Sequence, residues 1–211
     1  MSKSIENQII SVIYGNGRGW AFSQKDFAAL GQPGAIDRSL SRLAEKGSIR
    51  RLDRGLYDYP KFSKLLGQSL GPDMDQAAHA LARKFGWSIQ VSGNAALNIL
   101  GLSTQVPTQY LYLSDGPTKS YDILGQKLVF QKSKTTHLNF KYPESALLVQ
   151  AIEALGKDPL SPSQQTAILQ YLELEMQAPQ LLASRIMKDT QYVTSWIFQA
   201  IKNLFMEKEA S

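Results

Sequence analysis

The chain has no cysteine and only two histidines, His79 and His137, in 211 residues. Neither a disulfide framework nor a thiolate metal site can form, which fits a reducing cytoplasm, and two histidines without a cysteine do not point to zinc. Long apolar runs are missing too. The opening "MSKSIENQII" is interrupted by Glu6, Asn7 and Gln8, and no later stretch reaches the roughly 18 uninterrupted apolar residues of a spanning helix. Neither a signal peptide nor a membrane span is expected. Internal repeats and low-complexity tracts are also lacking. The 43% of hydrophobic residues is ample for one large core or two small ones.

The net charge is confined to one part of the chain. Residues 1–66 hold 11 Lys+Arg against 6 Asp+Glu, and the remaining 145 residues hold 12 of each, so the whole net charge of +5 lies in the first third. A basic segment joined to a neutral one is the electrostatic footprint of a nucleic-acid-binding module attached to a domain with another task.

The residue patterns of that first third predict specific elements. Ile5, Ile9, Val12 and Ile13 recur with helical spacing and are followed by the glycines of "YGNGRGW". With no strand before it and no Lys-Ser/Thr after it, that glycine stretch reads as a cap and turn, not a phosphate loop. "WAF" at 20–22 reads as a short strand. "SQKD" at 23–26 is a capping box, and a short helix follows, carrying Phe27 and Leu30 and ending at Gly31. A third helix begins at Pro33 or Gly34 and ends at Gly47. Ile36, Leu40 and Leu43 share one face of it, and Arg38, Ser41 and Arg42 point the opposite way. From Ser48 the period shortens, and "SIRRL", "DRG" and "LYDY" read as strand, tight turn and strand, stopped by Pro60.

Helix, strand, helix, helix and hairpin is the order of a winged helix-turn-helix. In that fold the third helix enters the major groove of DNA, and the hairpin lies along the backbone with Arg54 near the minor groove. The expected DNA-binding residues are Arg38, Ser41, Arg42 and Lys46 on the helix and Arg50, Arg51 and Arg54 on the hairpin. Winged helices also serve as protein-docking modules, and in that alternative the arginines are solvated and DNA is not bound.

Residues 61–72, "KFSKLLGQSLGP", read as a linker or short docking segment, and a second domain is expected over 73–211. It begins with a small-residue helix (Ala77, Ala78, Leu81, Ala82, Phe85), a buried strand "SIQV" and a helix capped by Ser92. The strands "QYLYLSD" and "QKLVFQK" flank "GPTKSYDILG", a turn-rich connection, and helices run from Glu144 onward. The expected fold is therefore α+β: a winged helix-turn-helix over 1–66, then a mixed α/β domain with a helical C-terminal tail. No catalytic constellation emerges. Asp73 and Asp75 suit a helix N-terminus better than a metal. Ser92 lacks the strained G-x-S-x-G turn of a nucleophile. Tyr110, Tyr112 and Tyr121 fit strand packing better than base stacking. The chain reads as a non-enzyme without metal or cofactor.

The pattern L-S-R-L-x-x-K-G-x-I-R-R-L-x-R-G-x-Y-x-Y-P from Leu40 to Pro60, then S-G-N-A-A-L-N-I-L-G-L-S-T-Q-V-P from Ser92 to Pro107 and "YLYLSDGP", resembles the AbiEi-type antitoxin and transcriptional regulator family over roughly residues 1–155. The resemblance implies an autorepressor that binds double-stranded DNA in its own promoter, at inverted repeats, through its N-terminal domain. It implies an α/β domain that opposes a nucleotidyltransferase toxin encoded next to it, as in abortive-infection systems. Arg38, Arg42, Arg50, Arg51 and Arg54 match that family's basic helix and wing. After about residue 158 no family motif is matched.

Overall fold

The computed structural model describes residues 4–105, 109–133, 140–175 and 179–209. They form a mixed α+β protein of helices and small sheets. The chain divides into two compact units, one of Met1–Ser88 with Lys119–Val129 and one of Ile89–Thr118 with Phe130–Ser211.

In the first unit, α1 (Ile5–Asn16) starts where the Ser4 hydroxyl accepts a bond from the Asn7 amide, and it buries Ile9 and Ile13. A short β1 (Ala21–Phe22) leads into a 3-10 helix, Gln24–Leu30. The capping box there is formed as its sequence predicts, with the Ser23 amide donating to Asp26 Oδ2 at 2.8 Å. Pro33 opens α2 (Pro33–Glu45), its fixed φ suiting the first turn, and Gly47 at φ +70° lets the chain leave it. The strands β2 (Arg50–Asp53) and β3 (Leu56–Asp58) follow, and the sheet order is β1-β3-β2, antiparallel throughout. Because β3 is central, Leu56, Tyr57 and Asp58 are all buried. Ile9, Ile13, Phe22, Phe27, Ile36, Leu40, Leu43, Ile49 and Tyr57 form the core between sheet and helices. Each large apolar side chain there contributes about 1.5–3 kcal/mol by leaving water.

Residues 61–72 contain a small antiparallel hairpin, β4 (Phe62–Ser63) with β5 (Gln68–Ser69), where the sequence suggests a linker. Asp73 caps α3 (Met74–Phe85), accepting from the Gln76 amide at 3.2 Å. This helix packs on β1, the 3-10 helix and β3. Arg83 anchors it, with Nε 2.6 Å from Asp26 Oδ1 and Nη2 donating to the Ala21 carbonyl at 2.8 Å. The small-residue helix assigned by sequence to a domain starting at residue 73 thus completes the first unit. Its small residues, Ala77, Ala78 and Ala80, are fully buried and let backbones approach closely.

The segment "GPTKSYDILG" is only partly a turn. It holds the strand β8 (Lys119–Ile123), which is hydrogen-bonded to β9 (Gln126–Lys132) across the two-residue turn Leu124-Gly125. Both turn residues have positive φ, +53° and +86°, and the Asp122 carboxylate accepts from the Gly125 amide at 2.7 Å. In the first unit β8 packs against β2.

The second unit pairs β6 (Ile89–Val91) antiparallel with β7 (Tyr110–Ser114) and packs α4 (Gly93–Ile99) on α5 (Pro143–Leu155). Gly93 is where these two helices meet closely. A Cβ there would lie 2.6 Å from the Ala154 Cβ and 3.1 Å from the Gln150 carbonyl oxygen. The helices α6 (Pro162–Glu175), α7 (Pro179–Asp189) and α8 (Ser195–Glu209) complete it, with Leu148, Ile152, Ile168, Leu172, Ile186 and Ile201 in the core.

Candidate nucleic-acid interface

The helix α2 buries Ile36, Leu40 and Leu43, as their spacing predicts. At ~100° per residue the pole opposite that stripe falls on Arg38, Ser41 and Glu45, with Arg42 and Lys46 displaced toward one side. Arg38 is exposed and Ser41 half-buried. Arg42 and Lys46 are both drawn to α1: Arg42 Nε lies 3.1 Å from Glu6 Oε2, and Lys46 Nζ lies 2.7 Å from Glu6 Oε1. The Lys46 and Arg42 bonds hold the Glu6 carboxyl below its ordinary pKa against some desolvation. Asp37 and Glu45 also lie on exposed positions of α2. The helix is therefore less basic outward than its sequence suggests. A shallow cleft of about 450 Å³ opens between α1 and α2, lined by Ser4, Ile5, Asn7, Ala35, Arg38 and Arg42.

On the hairpin the arginines separate by role. Arg50 is turned inward: its Nε donates to Asp58 Oδ1 at 3.0 Å, its Nη2 to Asp58 Oδ2, and its Nη1 to the Leu70 carbonyl at 2.8 Å. Burial pushes the Asp58 carboxyl above its ordinary pKa, and Arg50 opposes the rise. With Nε, Nη1 and Nη2 each bonded within the fold, Arg50 holds the hairpin together, a role its sequence position does not reveal. Arg51 is exposed; its Nη2 donates to the Tyr57 hydroxyl at 3.0 Å and its guanidinium lies 5.4 Å from that ring's centre. Arg54 is exposed at the turn, next to Gly55 at φ +67°, and its carbonyl accepts from Lys84 Nζ at 2.8 Å. Of the seven expected residues, the fold leaves Arg38, Arg51 and Arg54 exposed and Ser41 half-buried, pairs the exposed Arg42 and Lys46 with Glu6, and ties the half-buried Arg50 to Asp58 and the Leu70 carbonyl. Glu6 and Asp58, which decide this, carry no motif. Their only sequence signal is an acidic residue in the first helical turn and one in an otherwise apolar strand.

Elsewhere, Asp75 sits 3.7 Å from the exposed His79 one helical turn away, and His137 lies outside the described residues. Among the described residues no group of three or more His, Cys, Asp or Glu could hold a metal ion, and no helix is long and apolar enough to cross a membrane. Ser92 stands at the N-cap of α4, but its side chain makes no capping bond. A cleft of about 530 Å³ beside it is lined by uncharged residues, among them Asn94, Asn98, Gln105 and Gln109. Tyr112 is buried, its ring 6.2 Å from Phe130, which is a core role.

Among solved structures, the crystal structure of the RV2827C protein from Mycobacterium tuberculosis is similar at 14% identity and a TM-score of 0.40, covering 98% of this chain and 78% of that one. No curated protein matches the chain. The model of a family of unknown function, DUF6088, matches residues 8–179. With most of its length inside that match, the chain belongs to the DUF6088 family.

Proposed function

We propose that the chain is a DNA-binding transcriptional autorepressor and antitoxin that opposes a nucleotidyltransferase toxin, and that its N-terminal part is a winged helix-turn-helix. One observation carries the DNA-binding reading. The order α1, β1, 3-10 helix, α2, β2, β3, with β3 central in the sheet, coincides with the chain's positive charge. The first compact unit holds 15 Lys+Arg against 9 Asp+Glu, and the second 8 against 9. In this reading Arg38 and Ser41 face the major groove, and Arg51 and Arg54 follow the backbone. The antitoxin part rests on the likeness of the Leu40–Pro60 and Ser92–Pro107 motifs to AbiEi-type antitoxins.

A second reading, a winged helix that docks a protein and leaves DNA alone, draws on the mixed charge of α2, where Asp37 and Glu45 are exposed and Arg42 and Lys46 are held by Glu6. Titrating the full chain against its own promoter and a random-sequence duplex at several salt concentrations separates the two. Affinity that falls steeply with salt supports the repressor. Absent or salt-independent affinity supports the docking module.

A further inference from the structure

The β2–β3 turn adjoins two lysines that no DNA-binding motif includes. Lys84, near the end of α3, is half-buried, and its ammonium donates to the Arg54 carbonyl at 2.8 Å. Gly55 leaves the room for this, since a Cβ there would come within 3.2 Å of Lys84 Nζ. Lys119, the first residue of β8, is exposed. The two ammonium groups share one aromatic ring: Lys84 Nζ lies 5.5 Å and Lys119 Nζ 5.1 Å from the centre of Phe85. Lys119 is also 5.0 Å from the Tyr121 ring, and Phe85 stacks on Trp87 at 4.7 Å.

Ring faces attract cations but do not neutralise them. Among the described residues, none of Arg54, Lys84 and Lys119 lies within ion-pair distance of a carboxylate. Burial lowers the Lys84 pKa; Asp53 and Asp37 oppose the shift, and Lys119 and Arg54 add to it. Positive groups gathered over an apolar ring repel one another, and an anion placed among them relieves that repulsion. Lys84 bonds the backbone of the turn that carries Arg54, and the Arg54 charge is near enough to be felt at Lys84.

We propose that Lys84 and Lys119, together with Arg54, form a seat for the phosphate backbone of duplex DNA, so that the chain's contact with DNA includes a strand contributed from beyond residue 118. The proposal rests on the DNA-binding reading and extends it to residues outside the helix-turn-helix segment. A phosphate contact fixes position without reading sequence, so its loss weakens all duplexes alike.

The test uses the full chain with Lys119→Gln, Lys84→Gln and the double variant, titrated against promoter and random-sequence duplexes over a range of salt. Each single variant is expected to reduce the slope of log K against log salt by about 0.9 for both duplexes, and the double by about twice that. Lys119→Arg should keep the wild-type slope. Losing Lys84 also loosens the turn, whereas the Lys119 side chain is exposed against the Phe85 and Tyr121 rings, so Lys119→Gln with an unchanged melting curve carries the decision. A wild-type slope in Lys119→Gln and in the double variant, alongside a reduced slope in Arg54→Ala, overturns the seat but leaves the DNA-binding reading intact. No duplex affinity in the wild type overturns both.

Discussion

Arg50 and Asp58 face each other across the β2–β3 hairpin, with Arg50 Nε 3.0 Å from Asp58 Oδ1 and the Asp58 side chain only 2% exposed. Removing the guanidinium strands a buried carboxylate. Arg50→Ala should cost about 3–5 kcal/mol at neutral pH, the usual penalty for breaking a buried pair. Asp58 already has a raised pKa from burial, and losing Arg50 raises it further. A raised carboxyl contributes stability that is complete below its unfolded pKa and lost as pH rises through its folded pKa. The gap between variant and wild type should therefore narrow as pH falls from 7 to 5. Urea unfolding at both values checks this, and a gap independent of pH would count against the pair.

Glu6→Gln releases Arg42 and Lys46 from α1. The exposed pairs are worth at most about 1 kcal/mol together, so little stability should be lost. Glu6 has a depressed pKa, so what the pairs contribute is present above its ordinary pKa and disappears as pH falls through the folded one. On the DNA-binding reading, the variant should bind random-sequence duplex more tightly and with a steeper salt slope than wild type. Fluorescence anisotropy at low and moderate salt would show it.

Arg38 and Arg54 should differ in kind. Arg38 stands at the outward pole of α2, and on the DNA-binding reading it makes a bidentate base contact, the kind worth about 1–3 kcal/mol of discrimination. Arg38→Ala should weaken promoter binding far more than random-duplex binding. Arg54→Ala should weaken both equally, and Lys at 54 should restore most of the loss. Equal losses in both variants would assign Arg38 to phosphate.

Gly93→Ala drives a methyl group into the α4–α5 contact, 2.6 Å from the Ala154 Cβ. Overpacking of this sort costs about 1–3 kcal/mol. Thermal unfolding should show a lowered midpoint, and Gly93→Ala combined with Ala154→Gly should recover part of it. An unshifted midpoint would mean the helices separate without strain.

A fragment ending near residue 66 lacks α3 and the bonds Arg83 makes to Asp26 and Ala21. It should show little cooperative unfolding by circular dichroism, whereas a fragment through residue 88 should unfold with a clear transition. A cooperative transition in the shorter fragment would show that α3 is dispensable.

Local chemistry was legible in the sequence, and tertiary choice was not. The Ser23–Asp26 box, the Asp73 cap and the buried stripe of α2 depend on residues three or four apart, and all three stand in the structure. The role of Arg50 turns on one register shift. An unbroken hairpin closed by Arg54-Gly55 would place Arg51 opposite Asp58, but the irregularity between Arg51 and Asp53 places Arg50 there instead. Nothing in "RRLD" announces that bulge. Likewise α3 and β8 form from their own residues, yet which unit they complete is decided by the surfaces they cover, β1 and β2 among them.

The return of residues 119–129 to the first unit bears on the order of events during synthesis. Thirty residues of the second unit, Ile89–Thr118, are made before β8 exists to pack against β2. A nascent chain of fewer than about 130 residues therefore carries an unfinished first unit with one flank of β2 uncovered. Its completion waits on a contact between distant parts of the chain, the kind of closure that slows folding relative to neighbouring helices. If the Lys119 seat takes part in repressing the chain's own promoter, full repression begins only with molecules whose translation has passed β8.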